Sequence, residues 1–313
     1  MMLREGGRLL TVVRTERQAR DIVALDLTDP AGEPLPAWEP GAHIDVQLVT
    51  RHLRQYSLCG DPGDRSRYRI AVLRERLSRG ASAYVHSFLR VGKRVRVWEP
   101  RNHFALEPAE RYVFLAGGVG ITPILPMVVQ ADRTGVPWKL AYSVRTREDA
   151  AFSDELAALD GDVTVRATST EGRLDLPTYL GPGEAGTAVY CCGPPAFVDA
   201  VQDAMAGWPD GALRVERFVP APVDFGPGQP FTAVCASTGK RVRVDADVSL
   251  MTALRRAKVP VPGACLRGTC GSCCVKVLAG VPQHRDAILP PDTMDRIHPC
   301  VSRSATPEIV LDL

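Results

Sequence analysis

What this sequence lacks narrows it first. Its 313 residues hold no uninterrupted apolar run of membrane-spanning length: the most apolar window, YVFLAGGVGITPILPMVV, is broken by three Gly and two Pro, so no transmembrane helix is expected. The opening MMLREGG has no apolar core of the kind a secretory leader carries, and export is not expected either. An excess of one charge is missing too. Lys and Arg number 38 against 36 Asp and Glu, which leaves no electrostatic case for nucleic acid or a membrane surface. Internal repeats and low-complexity tracts are absent. Nine cysteines, odd in number and unevenly spaced, do not make the even framework of a secreted disulfide protein, so a reducing cytoplasm is the expected compartment. With 45% hydrophobic residues, the chain can build two or three cores.

What is there is concentrated in ACLRGTCGSCC. Cys265, Cys270 and Cys273 stand in a C-x4-C-x2-C spacing, with Cys300 as a distant fourth thiol; this is the plant-type spacing for a 2Fe-2S cluster. Three thiolates converging on one cluster need a loop that wraps tightly with its N–H groups inward. Gly268 and Gly271 lack the Cβ that would block this wrap. Zinc is the rival, but it favours paired C-x2-C knuckles, and only one such spacing is present. Inert buried thiols are the bland alternative. Cys274, next to a ligand at the start of the strand CCVKVL, should face the other way and pack.

Residues 1–108 alternate in the manner of β-strands: LLTVVRTERQARDIVALDLTD, HIDVQL, RYRIAVLRE and KRVRVWEP are separated by Gly, Pro and Asp. A small barrel is predicted. Within it, Arg54, Tyr56 and Ser57 can present a cation, a ring and a hydroxyl to a ligand. In SRGASAYVH, Arg79, Gly80, Ala81 and Ser82 form a turn into a helix that suits a phosphate. An ordinary strand end and an ordinary helix cap remain the plain alternatives. Residues 109–218 instead alternate strand and helix, which predicts a parallel α/β sheet. AGGVGITP is not G-x-G-x-x-G, so the dinucleotide fingerprint fails as written. Nevertheless Gly117, Gly118 and Gly120, followed by Thr122 and Pro123, sit at a helix start where a pyrophosphate can approach backbone. CGPP (Cys192–Pro195) is a second such turn, and both are equally explicable as tight turns that need Gly and Pro. Residues 219–230, VPAPVDFGPGQP, are predicted as a linker, and 231–313 as a small mixed β-grasp unit with Ser249 capping its helix.

Taken together, RQYSLCGDP, SRGASAYVH, PRNHF, AGGVGITP, CGPP, VERF, ACLRGTCGSC, HRD and HPCVSR resemble the phthalate dioxygenase reductase family, which includes the vanillate demethylase reductases. The resemblance implies a Greek-key FMN-binding β-barrel, a ferredoxin-reductase-like NAD domain and a C-terminal plant-type 2Fe-2S ferredoxin domain. It assigns Arg54, Tyr56, Ser57, Leu73, Arg74 and Arg79–Ser82 to FMN. Gly117, Gly118, Gly120, Thr122, Pro123, Cys192, Gly193 and Pro194 go to the nicotinamide nucleotide; Arg145 and Arg147, just after the strand WKLAYSV, are candidates for its adenosine end, with solvated surface charge the equal alternative. Phe218 becomes a shield over the flavin, and Cys265, Cys270, Cys273 and Cys300 hold the cluster. The family often has a second glycine where Ala81 stands, and its methyl is expected to tighten the phosphate turn.

NADH is the expected reductant, with NADPH the alternative. The implied route runs from nucleotide to FMN to cluster to a separate terminal oxygenase, most often a Rieske-type aromatic ring-hydroxylating or O-demethylating enzyme. A thiolate-haem monooxygenase is the second choice of acceptor; a stand-alone flavin or ferric reductase and a redox sensor are the readings from other classes. No acid, base or nucleophile is required, and none of the six histidines is assigned to catalysis. From residue 228 onward, Lys and Arg exceed the acids by four, which hints at docking on an acidic partner face. The chain is expected to be a monomer.

Overall fold

The computed structural model describes residues 6–48, 53–75, 80–218, 228–263, 266–268, 271–286, 288–290 and 292–313. Two compact units divide it: Gly6–Arg217 and Phe218–Leu313.

The first unit opens with strands β1 (Arg8–Ala19), β2 (Ile22–Thr28), β3 (Ala42–Gln47), β4 (Leu53–Ser57) and β5 (Arg67–Leu73). Helix α1 (Ala81–Phe88) and strands β6 (Arg94–Val97) and β7 (Arg101–Asn102) complete this part. The sheet order is β4-β3-β6-β1-β2-β5, with β7 on β3, and a bridge from Leu58 to Ile70 brings the end of β4 against β5 to close a barrel. Alternation does the sorting: Leu10 and Val12 of β1, Leu25 and Leu27 of β2, and Ile44 and Val46 of β3 fill the interior. The small barrel is therefore as the alternation predicts, with RQYS in a strand of its own.

A parallel sheet follows. Its strands are β8 (Arg111–Gly117), β9 (Trp138–Val144), β10 (Asp162–Ala167), β11 (Thr187–Cys192) and β12 (Leu213–Glu216). Between them run α2 (Ile121–Thr134), α3 (Ser153–Ala157), α4 (Thr168–Glu171), α5 (Leu176–Leu180) and α6 (Pro195–Ala204). All six residues of β11 are buried, as befits a strand covered by helices on both faces. One hydrophobic core joins the two sheets: Ala19, Ile22, Ala24, Cys59, Ala71 and Phe104 from the barrel pack in the same cluster as Phe114, Ile121, Ile124 and Tyr190. Ion pairs pin the seam. Arg133 grips Asp61 through both oxygens at 3.0 and 2.9 Å, and Arg69 bridges buried Asp26 to Glu155 at 3.0 and 2.9 Å.

The second unit contains β13 (Phe231–Cys235), β14 (Lys240–Val244), α7 (Leu250–Arg256), β15 (Val275–Ala279), β16 (Pro282–Gln283), β17 (Arg296–Ile297), β18 (Arg303–Ser304) and β19 (Glu308–Leu311). Its mixed sheet runs β14-β13-β19-β15-β17, with β13 and β19 parallel. Ser249 caps α7 by accepting the Thr252 N–H. Buried Arg303 donates to the carbonyls of Val248, Gln229 and Asp245 and lies over the Phe231 ring at 5.1 Å. Nine residues of the expected linker, 219–227, fall outside those described. Among the described residues no helix is long and apolar enough to cross a membrane.

Candidate functional site

In the parallel sheet the order β10-β9-β8-β11-β12 shows that the chain leaves β8 toward one edge and returns to β11 on its other side. The switch in direction lies between β8 and β11, where open α/β sheets bind ligands beyond the strand ends. Gly117 ends β8 and Cys192 ends β11. Both Gly-containing turns picked out in the sequence therefore face one crevice.

The two turns also touch each other. A Cβ on Gly120 would stand 2.2 Å from the Cys192 carbonyl oxygen, one on Gly117 would stand 2.7 Å from Pro194 Cδ, and one on Gly193 would stand 3.1 Å from Gly117 Cα. These three glycines are needed for turn-to-turn packing. Gly118 differs: its φ is +54°, and a Cβ there would meet nothing within 4 Å, so it offers left-handed backbone beside open space. Thr122 and Pro123 are buried in the first turn of α2, where the Thr122 hydroxyl donates to the Val119 carbonyl at 2.9 Å. They shape the turn. Arg145 is exposed just past β9, whereas Arg147 is paired with Glu171 at 2.7 Å.

Ionisable side chains at the ends of β11 and β12 are held neutral. Burial pushes the Cys192 thiol well above its ordinary value and the Cys191 thiol up to about 12. Glu216, in register with Cys192 across β11 and β12, was not singled out in the sequence. Burial pushes its carboxyl up to about 8, and among the described residues its inaccessible Oε2 has no hydrogen-bond partner. The residue as a whole is half-buried, so the inaccessibility is confined to the carboxyl end. A carboxyl protonated at neutral pH can donate a hydrogen bond. Its signal was available: it is the acid that ends the strand LRVE, two positions before Phe218 in VERF. Phe218 itself is exposed and belongs to the second compact unit.

On the barrel, Arg54 and Tyr56 are half-buried on β4, and the adjacent Ser57, ending the strand, is buried. Burial raises the Tyr56 phenol, which therefore stays neutral. Gly80 starts α1 at φ 100°, a conformation glycine alone adopts cheaply. The Ser82 hydroxyl accepts the Glu75 N–H at 3.2 Å, tying the helix start to the segment that follows Leu73 and Arg74, both exposed at the end of β5. Arg79 lies outside the described residues. The methyl of Ala81 is part of the barrel core, so it fills the interior beneath the turn, where a tightening of the phosphate turn was expected.

In the second unit Cys273 and Cys300 are buried with their sulfurs 3.3 Å apart. That is beyond the ~2.05 Å of a disulfide and near enough for two thiolates to share one iron. Cys265 and Cys270 lie outside the described residues. The glycine argument holds for the loop: Gly268 and Gly271 have φ of 73° and 66°. A Cβ on Gly268 would stand 2.6 Å from Val301 Cγ2. Cys274, expected to pack, is exposed, because the alternation that buries Cys273 and Val275 turns it outward.

The donor sets fit the groups expected of them: a thiolate pair for iron, a left-handed glycine at a helix start for a phosphate, and an open left-handed glycine at the switch point for a pyrophosphate. Comparison with known proteins agrees. The 2Fe-2S iron-sulfur cluster binding domain family matches residues 235–304. The phenoxybenzoate dioxygenase subunit beta of Ectopseudomonas oleovorans is 40% identical over 94% of this chain and 94% of its own length. The phthalate dioxygenase reductase of Burkholderia cepacia is 37% identical, covering 99% of this chain and 98% of the relative. A solved structure of phthalate dioxygenase reductase, described as modular for electron transfer from pyridine nucleotides to [2Fe-2S], superposes with a TM-score of 0.74 at 37% identity over 99% of this chain and 98% of that one. An intact type IV self-sufficient cytochrome P450 monooxygenase superposes with a TM-score of 0.91 at 41% identity over 98% of this chain, which spans 41% of that longer protein.

Proposed function

Because this chain belongs to the phthalate dioxygenase reductase family, matching it end to end, we infer that it is the reductase component of an oxygenase system. It is a flavin and iron-sulfur oxidoreductase: electrons pass from NADH through FMN and a 2Fe-2S cluster to a separate oxygenase. The observation that carries this reading is the joint presence of the switch-point crevice, the barrel's Gly80 helix start and the Cys273–Cys300 thiol pair in one chain.

The flavin supplies the conversion between a two-electron hydride donor and one-electron acceptors. This chain's residues supply placement. Arg54, Tyr56, Ser57, Leu73, Arg74 and residues 79–82 hold FMN on the barrel, while Gly117, Gly118 and Gly120 present backbone to the nucleotide's pyrophosphate. Cys192, Gly193 and Pro194 flank the nicotinamide, and the neutral Cys192 thiol offers it an uncharged wall. Protonated Glu216 donates a hydrogen bond into the same crevice. Phe218 shields the flavin and Arg145 meets the adenosine end; NADH, the reductant usual in this family, is the substrate. Since the barrel and the parallel sheet share one core, the relative position of their two sites is built into the fold. Cys265, Cys270, Cys273 and Cys300 ligate the cluster.

We assign residues 1–108 to the FMN-binding barrel, 109–218 to the nucleotide domain, 219–230 to a linker and 231–313 to the ferredoxin domain. The acceptor is a Rieske-type oxygenase acting on an aromatic ring or an aromatic ether; the dioxygenase names of the full-length relatives support this. The likeness to a self-sufficient P450 monooxygenase favours a thiolate-haem acceptor as the second reading. We assign it as a cytoplasmic monomer.

Anaerobic titration with NADH, and separately with NADPH, tests the route. Bleaching of flavin and cluster absorbance with a rhombic low-temperature electron paramagnetic resonance signal is expected, at far lower NADH than NADPH. Zinc in place of iron, or flavin bleaching that the cluster never follows, would leave only a flavin reductase.

A further inference from the structure

Cys300 sits in a turn whose two legs rest on one side chain. His298, two residues before it, has Nδ1 2.9 Å from Asp286 Oδ1, and Ser302, two residues after it, donates its hydroxyl to Asp286 Oδ2 at 2.8 Å. The turn is closed by the Val301 and Ser302 N–H groups, which donate to the His298 carbonyl at 3.2 and 3.0 Å. The Ile288 and Leu289 N–H groups donate to Oδ1 at 3.1 and 2.8 Å, and His284 Nδ1 lies 3.5 Å from Oδ2. The carboxylate is wholly buried, as is Ser302, and His298 is 2% exposed.

The same aspartate meets the other half of the cluster site. A Cβ built on Gly268, in the loop between Cys265 and Cys270, would stand 2.9 Å from Asp286 Cβ and 3.0 Å from its Cα. Backbone of the three-thiolate loop therefore lies directly against Asp286 while its carboxylate holds the fourth thiolate's turn. A buried carboxylate is costly unless its oxygens are satisfied. Here burial alone would raise its pKa, but the contacts from His298, Leu289 and Ser302 outweigh burial and hold it well below the usual range. The ferredoxin chemistry itself asks nothing of this residue.

We propose that Asp286 is a positioning residue for the cluster: one buried carboxylate that sets Cys300 in register with the Cys265–Cys273 loop and leaves a negative charge beside the metal site. The proposal rests on the cluster reading above. Outer contacts of this kind change metal retention by about 10- to 100-fold when removed. A fixed negative charge also disfavours adding an electron nearby, so its removal makes the cluster easier to reduce.

The experiment uses the full-length protein with its groups bound, as parent, Asp286→Asn, Asp286→Ala and Ser302→Ala. Iron and acid-labile sulfide per flavin, the lifetime of the cluster absorbance in air, the reduced-cluster resonance and the midpoint potential are measured. Asp286→Ala should shorten the cluster lifetime by about tenfold or more, with flavin content and flavin reduction by NADH unchanged. Ser302→Ala should do the same more weakly. Asp286→Asn preserves shape, so it should keep its cluster but shift the potential upward and alter the resonance. Should the alanine variant not fold, the asparagine variant decides: parental potential and parental resonance would overturn the proposal. Parental lifetime and iron content in Asp286→Ala would overturn it equally. A parent that holds no cluster would instead overturn the ferredoxin reading beneath it.

Discussion

The crevice of the first unit and the cluster loop of the second are built from opposite materials. At the switch point the chemistry is done by backbone: three glycines let two turns approach, and a fourth, Gly118, opens main chain to the crevice. In the loop it is done by side chains, and glycine serves only to let thiolates converge. The lesson concerns tolerance. A backbone site fails when any atom is added, whereas a side-chain site fails when one particular atom is taken away.

Substitutions can break this contrast. The largest effect should come from Cys300→Ser, which removes one sulfur: the cluster resonance and electron delivery to any one-electron acceptor fall to background, while NADH still bleaches the flavin in an anaerobic titration. Next is Gly120→Ala, which adds one carbon 2.2 Å from the Cys192 carbonyl. Over-packing at that distance should cost about 3 kcal/mol, read as a lowered thermal midpoint of the flavin-containing unit. If Gly120→Ala is as stable as the parent, the turn-to-turn packing is not a constraint. Gly118→Ala sharpens the comparison, since its methyl enters open space. The left-handed φ should cost about 1 kcal/mol, and the KM for NADH should rise about tenfold, equivalent to about 1.4 kcal/mol. A stability loss without a KM change would remove Gly118 from the nucleotide site.

Glu216 tests whether the crevice is backbone alone. Its carboxyl is raised from 4.5 to about 8 in the folded chain, so between those values the unfolded chain gives up a proton that the folded chain keeps. Stability should therefore fall as pH rises from 4.5 to 8 and level off above, by the linkage of proton uptake to folding. Thermal midpoints at pH 5 and pH 8 measure the slope, which Glu216→Gln should flatten. The smallest effect belongs to Cys274→Ser, expected within about 0.5 kcal/mol of the parent with an unchanged cluster resonance, because its thiol is exposed.

How much of this was legible in the sequence follows the same division. The 2Fe-2S domain could be read from cysteine spacing, because ligand identity resides in residue type. The barrel and the parallel sheet were legible from alternation and strand-helix succession. The crevice was legible only in part: AGGVGITP and CGPP each passed as ordinary turns, and only the strand order brings them to one crevice. Spacing could not separate Gly118, which faces open space, from Gly120, which faces Cys192, since glycine looks alike in both uses. Glu216 lay inside the quoted VERF but was passed over for Phe218; its neighbour across β11 gives it meaning. Cys274 was expected to face away from the cluster and to pack; the pleat does turn it away, but that side of the strand is exposed. Asp286 lay within a quoted motif, but its two partners flank Cys300, more than ten residues downstream.

The shared core between the barrel and the parallel sheet also bears on how such chains can be recombined. A crossover placed between Asn102 and Arg111 would part Ala19, Ile22 and Ala71 from Phe114, Ile121 and Ile124, and would leave the halves of Arg133–Asp61 and Arg69–Glu155 in different parents. Shuffled descendants of two relatives should survive only when residues 6–217 come from one of them. For heredity, these two sheets are a single piece.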